Sequence, residues 1–145
     1  MIVVFDSLNL DLVFRVATLP HPGETVLTAS VDRVPGGKGA HQVLAARRAA
    51  PSLPVAFVGA VGRDEWAGAA TALLAADGVD LGHLDRVDAA TGCAAVLVDG
   101  SGENAIVVAS GANGRARAAA VPDHLLGAAS TVVLQMEVPA AENRA

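Results

Sequence analysis

Three short apolar runs, residues 2–5, 55–61 and 131–135, constrain this chain more than any other feature. They are rich in valine and apolar at nearly every position instead of every second one. A strand of that kind has both faces covered, as happens inside a parallel sheet with helices packed on it. Between the runs lie two stretches of helical character. Residues 40–50 carry Val43, Leu44, Ala45 and Ala46 without a breaker until Pro51, and are entered through the glycine-rich turn Gly36-Gly37-Lys38-Gly39. Residues 66–76 follow Asp64, placed as an N-cap, and end before Gly78, placed as a C′ glycine. The pattern predicts an α/β fold: a partial parallel sheet of three central strands flanked by helices.

Two further regions read as β structure outside that sheet. Residues 12–34 alternate loosely between apolar and polar and are punctuated by Pro20, Pro22 and Gly23, as a half-exposed hairpin would be. Residues 93–98 and 105–109 are apolar runs joined by Asp99-Gly100-Ser101-Gly102-Glu103-Asn104, a tip suited to positive φ angles. Together they predict a small β lid, with segments at about 12–34 and 84–110. Residues 122–128 are a short helical candidate. No helical stretch follows 131–135 to cover the third strand, which predicts an exposed edge prone to aggregation.

Composition narrows the function. A chain of 145 residues, 52% hydrophobic, suits one domain, residues 1–145. No apolar run approaches the ~18 residues a membrane span needs. The opening MIVVFDSLNLD has no basic stretch, and Asp6 interrupts its apolar run, which predicts a cytoplasmic protein without a secretory leader. Net charge is −5 and the arginines are scattered, so nucleic acid is not expected as a partner. A single cysteine, Cys93, cannot form an internal disulfide and reads as a small buried apolar residue. His21, His41, His83 and His124 show no metal-ligand spacing.

In open α/β sheets ligands collect outside the carboxyl ends of the strands, so residues just past each apolar run are the candidates. Asn9 and Asp11 stand two apart after the first run; in extended chain their side chains share a side and suit sugar hydroxyls, the alternative use being a turn. The glycine turn allows close backbone approach, and Lys38 within it is the only lysine of the chain; an ordinary exposed turn is the alternative. His41 falls in the first helical turn, facing a ligand or solvent. Gln135 and Glu137 close the third strand, where a carboxylate either meets the ligand of Asp11 or is simply solvated. Neither GxxxxGK[ST] nor a full dinucleotide fingerprint is present at residues 36–39, and the GxGxxA match at residues 100–105 lies between two strands and carries no site. Ser110 has no GxSxG context.

The order of segments carries more than any one of them. NLD at 9–11, LPHPGET at 19–25, VPGGKGAHQ at 34–42, VGAVGRDEWAG at 58–68, Thr91-Gly92, DGSGENAIVVASGAN at 99–113 and LQMEVP at 134–139 together resemble the PfkB carbohydrate kinase family along essentially the whole chain. The resemblance implies a ribokinase-like sheet with a β lid that often forms a homodimer contact. It implies that Asn9, Asp11, Gly37, Lys38, His41 and Glu137 bind a sugar, and that the intact enzyme uses ATP and Mg2+, with a monovalent cation such as K+, to phosphorylate a pentose, ribose to ribose 5-phosphate being the expected case. The family's catalytic base, nucleotide site and metal-associated motif match nothing here, so this chain is expected to carry the sugar site only, with no metal ligand of its own, and to be inactive alone. Two positions depart from the pattern: His41 stands where the family has asparagine, and Asp6 where it has glycine. Another sugar or a nucleoside as substrate, or a non-catalytic remnant that binds sugar or dimerises, are the alternatives.

Overall fold

A computed structural model describes residues 1–145. In chain order the strands are β1 (Ile2–Phe5), β2 (Asn9–Arg15), β3 (Val31–Gly36), β4 (Val55–Gly62), β5 (Asp80–Val87), β6 (Gly92–Val98), β7 (Asn104–Ala109) and β8 (Thr131–Leu134). The helices are α1 (Lys38–Ala49), α2 (Glu65–Ala76) and the short α3 (Asp123–Ala128), with a 3-10 turn at Gly111–Arg115.

Four strands make a wholly parallel sheet in the order β5-β4-β1-β8. Alternation along its inner strands divides the core in two. Val4 of β1 and Val55, Phe57 and Val61 of β4 pack with Val43 of α1 and Ala67, Ala70 and Leu74 of α2. Val3, Phe5, Ala56, Val58 and Ala60 point the other way, against Ala112, Ala116 and Leu125 of the 3-10 turn and α3. All eight residues of β4 are buried, as its unbroken apolar run predicts. β8 differs: β1 is its one sheet neighbour, and Val132 and Leu134 are exposed.

The lid is a second sheet, β3-β2-β6-β7, in which β2–β3 and β6–β7 are antiparallel while β2–β6 is parallel. The two predicted hairpins thus join through β2 and β6. Asp99 organises the β6–β7 tip by accepting from Ser101 N–H and Oγ–H and from Glu103 N–H, which is why the GxGxxA match there is a turn.

Two expected boundaries change. Residues 84–87, assigned to the lid by the sequence reading of 84–110, belong to β5 and pair with β4, so the main sheet has four strands and the second lid segment starts at Gly92. β5 is an edge strand with polar residues along its solvent side, and its sequence DLGHLDRV lacks the continuous apolar run of a buried strand. The first lid segment starts at Asn9 instead of 12, because Asn9 and Asp11 are themselves in β2.

Candidate functional site

Where β1 ends, the chain turns through Asp6, Ser7 and Leu8 into β2 and so passes directly beneath the start of α1. Ala40 N–H, in the first turn of that helix, donates to the Ser7 carbonyl at 3.1 Å. Gly37 is the N-cap, at φ 96, and offers no side chain to the free N–H groups. The glycines flanking this turn are also demanded by crowding: a Cβ on Gly36 would overlap the Asp11 carboxylate, and one on Gly39 would stand 2.5 Å from the Asp6 Cβ.

The other end of the site comes from β8. Its register pairs Leu134 with Phe5, so the residues following each strand run side by side. Glu137 thereby reaches the α1 turn, accepting from Ser7 Oγ–H at 2.8 Å, from Lys38 N–H at 3.4 Å and from the Lys38 ammonium. Burial raises the Glu137 pKa, but these donors outweigh it and hold the carboxyl below its usual range. The hydrogen bond to Glu137 in turn raises Lys38.

All six residues singled out from the sequence line one concavity of about 140 Å³: Asn9, Asp11, Gly37, Lys38, His41 and Glu137. Its opposite wall is apolar, from Ala94 and Val96 of β6 and Ile106 and Val108 of β7. The concavity adjoins a hollow of about 430 Å³ that shares Asn9, Val108 and Glu137 and extends past Ser110, Asn113 and Met136. A larger hollow, about 710 Å³, lies along β8 and α3 and is mostly apolar; it lacks the converging charges that mark a polar ligand site.

Asp11 is incompletely satisfied by the protein. Its Oδ1 is buried without a hydrogen-bond partner, and burial, opposed by nearby His41 and reinforced by Glu137, raises its pKa. An acceptor left open on a concave wall is disposed to take hydroxyl protons from a ligand. Asp6, 0% exposed beneath α1, has neither carboxylate oxygen paired. Burial, together with the charge of Glu137, lifts its carboxyl from 3.8 to about 6 against the pull of Ser7 and Lys38.

Gln135, the other residue noted at the end of the third strand, lies outside the concavity: its side chain accepts from Met136 N–H at 2.6 Å. Ser7 and Asn113 went unnoticed as contributors. Ser7 gave no signal beyond standing two residues before Asn9; Asn113 could have been suspected only as the polar residue closing the SGAN segment. No group of three or more His, Cys, Asp or Glu side chains that could hold a metal ion comes together in the structure, and no helix is long and apolar enough to cross a membrane.

Residues 1–142 match the family model described as pfkB family carbohydrate kinase. The chain belongs to that family. Its relatives include the ribokinase of Bacillus subtilis, 37% identical over 140 residues that make up 95% of this chain and 47% of that protein. Among solved structures, ribokinase from Giardia lamblia superposes with a TM-score of 0.88 at 35% identity, covering 98% of this chain and 44% of the other. Arabidopsis thaliana ribokinase complexed with ribose and ATP gives 0.78 at 31% identity, covering 95% and 46%. The chain therefore spans about half the length of the pfkB relatives it matches, and its parallel sheet with flanking helices is the fold they share.

Proposed function

We propose that the whole protein phosphorylates a pentose, ribose at its 5-hydroxyl, and that residues 1–145 supply the sugar site. One arrangement carries this reading: Asn9, Asp11, Lys38 and Glu137 converge on a concavity whose other wall is aliphatic. A furanose or pyranose has just this division, hydroxyls that exchange hydrogen bonds at its rim and C–H groups on its faces. In the proposal Asp11 accepts from sugar hydroxyls, Asn9 bonds a neighbouring one, the Gly37-Lys38 backbone and ammonium contact ligand oxygens, His41 borders the ligand, and Glu137 completes the rim. Glu137, held ionised by Lys38 and Ser7, is a hydrogen-bond acceptor and a poor proton acceptor.

ATP, Mg2+ and a monovalent cation such as K+ belong to the same proposal, and the residues of this chain do not fit them. The open start of α1 faces Asp11 and Glu137, whose charges repel polyphosphate, and no acidic cluster gathers to bind a metal. We assign the nucleotide, the metal and the general base to residues outside 1–145, in keeping with relatives twice as long. Homodimerisation through the lid is part of the reading: β7 is exposed throughout, with Val107 at 71%.

Titration calorimetry with ribose tests the site, and binding that is strongly weakened in the Asp11→Asn variant is expected. ATP-dependent ribose phosphorylation by residues 1–145 alone is expected to be absent, and turnover there would refute the division of labour. His41 favours a second reading, since its ring at the rim offers a stacking surface for a base. Tighter binding of a nucleoside than of ribose would support it. An intact mass near twice that of this chain separates either kinase reading from a remnant ending at Ala145.

A further inference from the structure

We infer that Asn113 is a positioning residue that fixes the amide of Asn9 with its NH2 toward the ligand; the inference rests on the sugar site proposed above. Asn113 lies 104 residues from Asn9 along the chain, in the 3-10 turn after β7, and is 1% exposed. Its Oδ1 accepts from Leu8 N–H at 3.0 Å, and its Nδ2 donates to Asn9 Oδ1 at 2.7 Å.

The order of donors and acceptors in this relay follows from chemistry. A backbone N–H can only donate, so the atom of Asn113 that faces Leu8 has to be its oxygen. Its nitrogen then faces Asn9, and the Asn9 atom that meets it has to be the oxygen. Asn9 Nδ2 is left without a protein acceptor, at the boundary of the two connected hollows that Asn9 lines. The backbone of Leu8 thus sets the orientation of an amide two side chains away.

Gly92 is the niche in which the relay forms. It pairs with Asn9 in the β2–β6 register, and a Cβ there would overlap both Asn113 Nδ2 and Asn9 Oδ1. Asn9 accordingly presents a donor while Asp11, two residues on, presents acceptors. The ligand groups they meet have to differ: an oxygen that accepts beside a hydroxyl that donates, as in adjacent hydroxyls of a sugar.

Asn113→Asp tests this, because it keeps the acceptor for Leu8 and nearly the same shape but turns an oxygen toward Asn9. At about pH 8, with the introduced carboxyl ionised, Asn9 has to flip and show its carbonyl to the ligand. Ribose affinity measured by calorimetry should fall at least tenfold, the order expected for a lost buried hydrogen bond. In an Asn9→Ala background the same substitution should change affinity less than about twofold, since the effect acts through Asn9. An equal loss in both backgrounds would overturn the inference.

Hydrogen exchange of side-chain amides, read by NMR without ligand, gives a measure independent of sugar binding. The NH2 of Asn113 should be the protected pair and that of Asn9 the faster one, with protection passing to Asn9 in Asn113→Asp. If Asn9 carries the protected pair in the unaltered protein, the relay runs the other way and the inference fails. If exchange behaves as expected but Asn9→Ala binds ribose normally, the relay stands and the assigned sugar contact of Asn9 fails instead.

Discussion

α1 and α2 both start just beyond a strand of the lid or main sheet, yet their first turns are finished in opposite ways. At α2, Asp64 caps the helix, accepting from Ala67 N–H at 3.1 Å and from Thr91 N–H and Oγ1–H at 2.7 and 2.6 Å. Thr91 Oγ1 accepts in turn from Gly62 N–H, so the turn is closed by protein groups, Thr91 coming from the segment before β6. Burial works against ionisation of Asp64, but the Thr91 and Ala67 donors win and its pKa is lowered. At α1 the cap is a glycine without a side chain, and the neighbouring aspartates, Asp6 and Asp11, have unpaired oxygens and raised pKa values. One helix start is built for stability and the other keeps its polar groups open. Buried polar groups are ordinarily paired, and the unpaired ones at this end are the reason the sugar site is proposed there.

The difference between the two helix starts depends most on Asp6. Its carboxyl titrates at about 6 in the fold against 3.8 when unfolded, so the folded chain binds the extra proton between those values. The contribution of this one group to stability is therefore greatest below about pH 4 and is lost as pH rises through about 6, by roughly 3 kcal/mol. Asp6→Asn should remove that slope and leave the variant the more stable at about pH 8. Urea denaturation of both proteins across that range checks the difference curve; parallel curves would mean that Asp6 is solvated or paired.

A smaller effect is expected at Asp11, where Asp11→Asn should weaken ribose roughly thirtyfold, about 2 kcal/mol for a charged hydrogen-bond acceptor, without lowering the urea midpoint, since burial already disfavours the charged carboxyl. Calorimetry and denaturation on the same sample separate the two. Smallest is Asp64→Ala, which should cost about 1 kcal/mol of stability through the lost cap while leaving ribose affinity within about twofold. A loss of ribose binding there would merge the two helix starts into one functional unit and remove the contrast.

Much of this contrast was legible from residues alone. The runs at β1 and β4 announced buried strands because nearly every position is apolar, and Asp64 announced a cap by standing just ahead of a helical stretch. The run at β8 announced a strand, but with β1 as its one sheet neighbour that strand is largely exposed instead of covered on both faces. Asn9, Asp11 and Glu137 were singled out because parallel strands deliver their carboxyl ends to one side of a sheet, and Lys38 because it is the one lysine, set in a glycine turn; the fold brings all four to one concavity. β5 was missed because an edge strand needs no continuous apolar run, so its half-polar sequence resembled a lid strand. Asn113 was missed for a different reason: its meaning lies in a partner over a hundred residues away, and nothing local to SGAN specifies that meeting. The burial of Asp6 was equally silent, since a glycine at position 39 is what makes room for it.

The sugar is proposed to sit at the open start of α1, under the lid. Backbone amide shifts followed by NMR during a ribose titration test that placement most directly. Saturable shifts are expected at Asn9, Asp11, the Gly37–His41 turn and Glu137, with Asp64 to Ala67 at the start of α2 unmoved. Shifts centred on α2, or none at the α1 turn at saturating ribose, would contradict it.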